Sequence, residues 1–141
     1  MKVVINNCFG GFGLSHEAML RYFEIKGIAV YPEKWEDWLE DWTYWTTKPE
    51  NRLESKEGKE FDKMSMKDRQ AYNQQWAEQT VYERDIARND PALVQVVEEL
   101  GSNANGKFSE LKVVDVPDDV MWYISEHDGC ETVGEKHRTW S

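Results

Sequence analysis

The chain is poor in the residues that make covalent or metal-held folds: its 141 residues include two cysteines, Cys8 and Cys130, and three histidines, His16, His127 and His137. Two cysteines are too few for a disulfide framework, and no C-x-x-C pair is present, so a reducing compartment is expected. Long apolar runs are also missing. No window approaches the roughly 18 apolar residues of a membrane span, and the opening MKVVINNCFGG has too short an apolar stretch for a signal peptide. Positive charge is in short supply. Lys plus Arg number 17 against 27 Asp plus Glu, a formal net charge of −10, which repels phosphate and disfavours direct binding to nucleic acid or anionic lipid. The expectation is a soluble, cytoplasmic, membrane-free protein whose partners are basic, if they are charged at all.

What the chain does have is tryptophan. Trp35, Trp38, Trp42 and Trp45 recur at intervals of three, four and three, with Glu36, Asp37, Glu40 and Asp41 between them. That spacing predicts a helix over 33–47 with an indole stripe on one face and acids on the other. Each indole has a large apolar area and one N–H, so the stripe either joins the core or is offered to a partner. These four residues are therefore the candidate partner-binding set. The like-charged pairs Glu36/Glu40 and Asp37/Asp41 oppose an isolated helix, so something outside it must stabilise it.

Around this segment the pattern is α+β. Val3, Val4 and Ile5 predict a buried strand, Ser15 caps a helix that Gly27 stops, and Ile28–Tyr31 predicts a strand closed by Pro32. Lys48–Lys63 reads as a charged loop, Ser65 caps a helix to about Gln79, and Val81–Ile86 reads as a strand. Asp90-Pro91 starts a helix that ends at Gly101. Leu111–Val116, Val120–Ile124 and a strand around Glu131–His137, turned by Asp128-Gly129, predict an antiparallel meander. The whole is expected to be one domain, 1–141, with a small mixed or antiparallel sheet, an N-terminal strand-helix-strand unit, the C-terminal meander and a helical tryptophan-rich insertion at 33–80.

The segments VINNCFGGFGLS, YERDIARNDPALVQVVEELG, ELKVVDVPDD and EKHRTW resemble a family of small hypothetical proteins encoded by tailed bacteriophages, over residues 1–31 and 81–140. The resemblance implies a phage protein working in the bacterial host cytoplasm. It implies no catalytic residues.

Several sites compete on the residues alone. Gly10, Gly11, Gly13 and Ser15 lie between a strand and a helix, where glycine loops cradle phosphate against helix N–H groups. The third glycine of a dinucleotide fingerprint is replaced by His16, so a looser anion site is the reading, with Arg84, Arg88 and Arg138 as cations. Cys8 is a candidate nucleophile if one of the three histidines serves as base, against the alternative of a small buried hydrophobe. His127, Cys130 and His137 match no zinc spacing, and neither a metal nor a cofactor is expected. With no complete catalytic set, the leading reading is a non-enzymatic accessory protein that binds a host protein in host takeover or counter-defence. The alternatives are binding or cleavage of a small nucleotide signal at the glycine turn, and an acidic nucleic-acid mimic built on the tryptophan helix.

Overall fold

A computed structural model describes residues 1–36, 41–53 and 59–136. It is an α+β structure with three two-stranded antiparallel sheets and, among the described residues, four α-helices. The chain forms two compact units, Met1–Gly27 with Glu83–Ser141 and, between them in sequence, Ile28–Tyr82.

In the first unit, strand β1 (Lys2–Asn6) pairs antiparallel with β4 (Leu111–Asp115), in the register Val3↔Val114, Val4↔Val113, Ile5↔Lys112. The run of β-branched residues at 3–5 suits a strand buried on both faces, and all three side chains are buried. Alternation divides them. Val3 and Ile5 join Val116 in a core closed by Trp122, Ile124 and Val133 of the hairpin β5 (Trp122–His127) and β6 (Cys130–Glu135). Val4 is turned the other way, toward a layer of two helices, one of which contacts both β1 and β4.

Those helices are α1 (His16–Lys26) and α4 (Pro91–Leu100), and their ends follow from local chemistry. Ser15 accepts a hydrogen bond from the Ala18 N–H, and Gly27 takes the left-handed φ of 68° that lets its N–H return to the last turn. Asp90 accepts from the Ala92 N–H, with Pro91 in the first helical position. Met19 and Phe23 of α1 and Leu93 and Val96 of α4 are buried. Polar groups fasten the pair: the Tyr22 hydroxyl donates to Asp90 Oδ2 at 2.7 Å and Arg21 Nε donates to Glu99 at 2.9 Å.

Two expectations for this unit are corrected. The last three strands form no meander, because β4 returns to β1 and only β5 and β6 pair with each other. Residues 81–86 form no strand but a single 3-10 turn, Glu83–Asp85, that buries Ile86. The Asp128-Gly129 turn is as expected, with φ of 49° and 87° at its two positions, the combination a two-residue hairpin loop of the primed type requires.

In the second unit the tryptophan helix is replaced by a hairpin, β2 (Tyr31–Lys34) with β3 (Trp42–Trp45), in the register Tyr31↔Trp45 and Lys34↔Trp42. The predicted strand at Ile28–Tyr31 is thus shifted, and Pro32 lies inside it. Trp38 and the residues around it, 37–40, lie outside the described residues, as do 54–58. The physical reason for the change is the composition of 42–47, Trp-Thr-Tyr-Trp-Thr-Thr, whose aromatic and β-branched side chains lose rotamer freedom in a helix and pack well on a pleated surface. Repulsion between the paired acids removes what helical preference remained. Thr80 extends the ladder on the other side of β3, with Thr46 N donating to Gln79 O and Val81 N to Tyr44 O.

Helix α3 (Met66–Gln79), capped by Ser65, follows the short helix α2 (Lys59–Asp62) and turns Tyr72 and Trp76 toward the hairpin's aromatics. Trp76 meets Trp45 edge to face at 4.9 Å, and Tyr72 meets Phe61 at 5.8 Å. No described helix is long and apolar enough to cross a membrane.

Candidate functional site

The most closely determined part of the first unit is the end of the β1–β4 sheet where the glycine turn begins. Asn6 closes β1 and is 0% exposed. Its side-chain amide donates to Cys8 O at 2.8 Å and Gly129 O at 2.7 Å, while Oδ1 accepts from Glu110 N at 2.8 Å and from the Cys8 thiol at 3.3 Å. A buried primary amide with every donor and acceptor used holds its neighbours in one arrangement. Here it joins three loops that are far apart in sequence.

Beside it lies an ion pair. Glu131, 5% exposed, accepts from Arg88 Nη1 at 2.6 Å and Nη2 at 3.0 Å, and also from the Asn6 N–H at 2.8 Å. The planar guanidinium matches the carboxylate in a two-pronged bond, and its face lies 3.5 Å from the Phe12 ring centroid. Arg88 also embraces Val4, accepting from its N–H at 2.8 Å and donating to its C=O at 3.4 Å. Together Arg88 and Glu131 take the outward backbone groups of Val4 and the outward N–H of Asn6, part of the task a third strand would otherwise perform. Arg88, nominated above as a ligand cation, is thereby committed to the interior.

The glycines answer to packing. A Cβ on Gly10 would lie 1.6 Å from the Phe108 carbonyl oxygen, and one on Gly129 would lie 2.6 Å from Gly11 N, so the three loops approach at backbone distance. Gly11 has a φ of 94°. The donors expected to cradle an anion are engaged: Leu14 N–H donates to Glu83 Oε2 at 2.9 Å and Ser15 N–H to Ala104 O at 2.9 Å, while Ser15 Oγ accepts from Ala18 N–H and donates to Asn103 O at 2.6 Å. A carboxylate already occupies the place where a phosphate would sit. Gly13 lies against that same Glu83.

The remaining nominated cations do not complete a site. Arg84 is exposed on the 3-10 turn next to Glu83. Arg138 and His137 lie outside the described residues. The single Cys8 S–H lies within reach of two acceptors, Asn6 Oδ1 and Phe108 O at 3.2 Å, so its hydrogen bonding goes to oxygen rather than to an imidazole. Among the described residues no group of three or more His, Cys, Asp or Glu is placed to hold a metal ion.

In the second unit the nominated tryptophans part company. Trp42 and Trp45 are three residues apart on a strand and so face opposite ways. Trp45 is 3% exposed, set against Trp76 and 4.9 Å from the Arg52 guanidinium, and belongs to the interior of that unit. Trp35 and Trp42 are half-buried, Trp35 donating its indole N–H to Thr43 Oγ1. With 33–36 and 42–45 in a hairpin, the helix-borne row of acids required for nucleic-acid mimicry does not form among the described residues.

Two residues that the tryptophan spacing does not touch are the most exposed aromatics among the described residues of the first unit. Phe9 is 72% and Phe108 65% exposed, and they stand on the adjoining loops that Gly10 locks together. The signal was present in the sequence: an aromatic directly before Gly10-Gly11 and another between Gly106-Lys107 and Ser109, both in segments too rich in turn residues to bury a ring. A groove of about 600 Å³ on α4, lined by Lys2, Asn89, Pro91, Val94 and Glu98 among others, includes none of the nominated residues.

No family model, curated protein or solved structure matches the chain.

Proposed function

We propose that the protein is a tailed-phage accessory protein that works in the bacterial host cytoplasm, performs no chemistry of its own and acts by binding a host protein, in host takeover or counter-defence. The observation that carries the binding role is the exposure of Phe9 and Phe108 on backbone held by Asn6 and by the Gly10–Phe108 contact. Exposed rings normally lose entropy when a partner fixes them. Loops this tightly tied have already given up their backbone freedom, so only the rings' rotamers remain to be fixed, which favours affinity. The phage setting rests on the resemblance of the chain's two outer segments. Of the nominated tryptophans among the described residues, Trp35 and Trp42 keep partial exposure and Trp45 does not.

The experiment is affinity capture from infected bacteria, followed by titration of the purified partner. A Phe9→Asp/Phe108→Asp variant with unchanged circular dichroism should bind at least about 30-fold more weakly, the loss of one hot spot or more. Equal binding by the variant removes the assignment of the surface. Turnover of a metabolite by the purified wild type, with no partner recovered, removes the reading altogether.

A further inference from the structure

The two edges of the β1–β4 sheet are treated differently. Backbone bonds link Met1 with Val116 and Asn7 with Glu110, so the pairs Val3↔Val114 and Ile5↔Lys112 between them face inward across the ladder. The intervening residues point their N–H and C=O groups out of the sheet. On β1 these are Lys2, Val4 and Asn6; Arg88 takes both backbone groups of Val4, and Glu131 takes the N–H of Asn6. On β4 they are Leu111, Val113 and Asp115. The Leu111 N–H donates to Asn105 Oδ1 at 2.8 Å. No described residue pairs with the outward backbone groups of Val113 and Asp115.

We propose that this outer edge of β4 receives an extended, basic segment of a partner polypeptide as an added strand. The proposal rests on the binding role above and names the chemistry of the partner. Unpaired strand groups are a template for main-chain hydrogen bonding, and the added segment supplies the missing donors and acceptors. Charge selects the occupant. Exposed Glu110 precedes the strand and exposed Asp115 and Asp119 close it, with Asp118 held by the Met1 ammonium, against Lys107 before the strand and Lys112 within it. The net charge of −10 makes a second copy of this chain a repelled guest and a lysine- or arginine-rich strand an attracted one. Phe108, three residues before β4, stands at the end where such a segment would enter or leave.

The test uses the intact protein and an acetylated peptide of alternating lysine and valine, with amide hydrogen exchange as readout. Saturating peptide should slow exchange at Val113 and Asp115 by about tenfold or more, while amides already in the β1–β4 ladder change little. The same peptide N-methylated on alternate residues, or with glutamate in place of lysine, should give no protection, and added salt should weaken the effect. Val113→Pro, which deletes one outward N–H where proline is tolerated at a sheet edge, should abolish it; the methylated peptide provides the same control should that variant not fold.

Protection of Val113 and Asp115 in the free protein at all concentrations would show the edge already covered and overturn the proposal. Protection that grows with protein concentration alone would overturn it in favour of self-association. If the peptide fails while partner binding stays sensitive to Phe9→Asp/Phe108→Asp, the edge proposal falls and the binding role stands. If the peptide binds but that double variant changes nothing, the phenylalanine surface falls instead.

Discussion

At the scale of single residues, the first unit depends on a few side chains that cannot be exchanged for near neighbours. Arg88→Ala leaves the Glu131 carboxylate buried without its cation and strips Val4 C=O of its donor. The expected cost is about 3–5 kcal/mol, read as a fall in the urea midpoint at unchanged slope. Glu131→Gln preserves shape but not charge and should lie in the same direction. Gly10→Ala drives a methyl into the Phe108 carbonyl, so the loops must part; a loss of about 1–3 kcal/mol is expected. That variant should also blunt partner binding, because it loosens the backbone that presents Phe9 and Phe108. A stable Gly10→Ala protein with normal binding would show that the lock is unimportant.

Among elements, the caps invite a direct comparison. Ser15 Oγ accepts from Ala18 N–H and donates to Asn103 O, whereas Ser65 Oγ only accepts from Asp68 N–H on an exposed helix end. Ser15→Ala should therefore cost about 1–2 kcal/mol and Ser65→Ala about 1 kcal/mol or less. The α1–α4 pair also carries a pH dependence. Glu99 is held at about 2 by hydrogen bonds from Arg21 and then Gln95. At Asp90, burial pushes upward, but the Tyr22 hydroxyl, the Ala92 N–H and Lys26 together win and hold it below the ordinary carboxylate range. Both acids titrate lower folded than unfolded, so their contribution is complete above about pH 5 and drains away as the pH falls, for Glu99 toward about pH 2. Tyr22 is pushed upward, by burial first and Asp90 next. Its contribution is whole below the ordinary tyrosine value of about 10 and lost above it. Urea midpoints measured from pH 7 to 3 should fall, and Glu99→Gln should flatten part of that slope, more visibly at low salt because the pair is exposed.

The same elements show what the sequence could disclose. Ser15, Gly27, Ser65 and Asp90 act on backbone groups within a turn of themselves, and each helix end they mark is where local chemistry put it. The tryptophan run misled because side-chain spacing reports only which face would form if a helix existed. Whether one forms was decided by the Thr-Tyr-Trp-Thr chemistry of 43–46 and by pairing with Tyr31–Lys34. Of the site, the glycine turn was visible and its purpose was not. Glu83 and Phe108, the groups that fill and crowd it, lie 69 and about 100 residues away in sequence, and no short-range pattern announces such a meeting.

Across the whole molecule, the organisation is that of one unit interrupted by another: residues 28–82 separate Met1–Gly27 from Glu83–Ser141. Refolding should accordingly be probe-dependent. Trp45 and Trp76 report on a unit contiguous in sequence, whereas Trp122 reports on one whose sheet joins residues 2–6 to 111–115. Such distant pairing slows folding. In stopped-flow refolding, Trp122→Phe should diminish the slower fluorescence phase and Trp45→Phe with Trp76→Phe the faster one; a single shared phase would contradict the division.

That interruption sets a schedule during synthesis. The strand with Val3, Val4 and Ile5 leaves the ribosome early and meets β4, its ladder partner among the described residues, when Leu111–Asp115 emerges, about 5–20 s later at ordinary elongation rates. Until then a sticky apolar segment is held by nothing built to receive it, while residues 28–82 are complete and able to collapse. The nascent chain is therefore most exposed to chaperones, and to misassembly with its polysome neighbours, through its first strand.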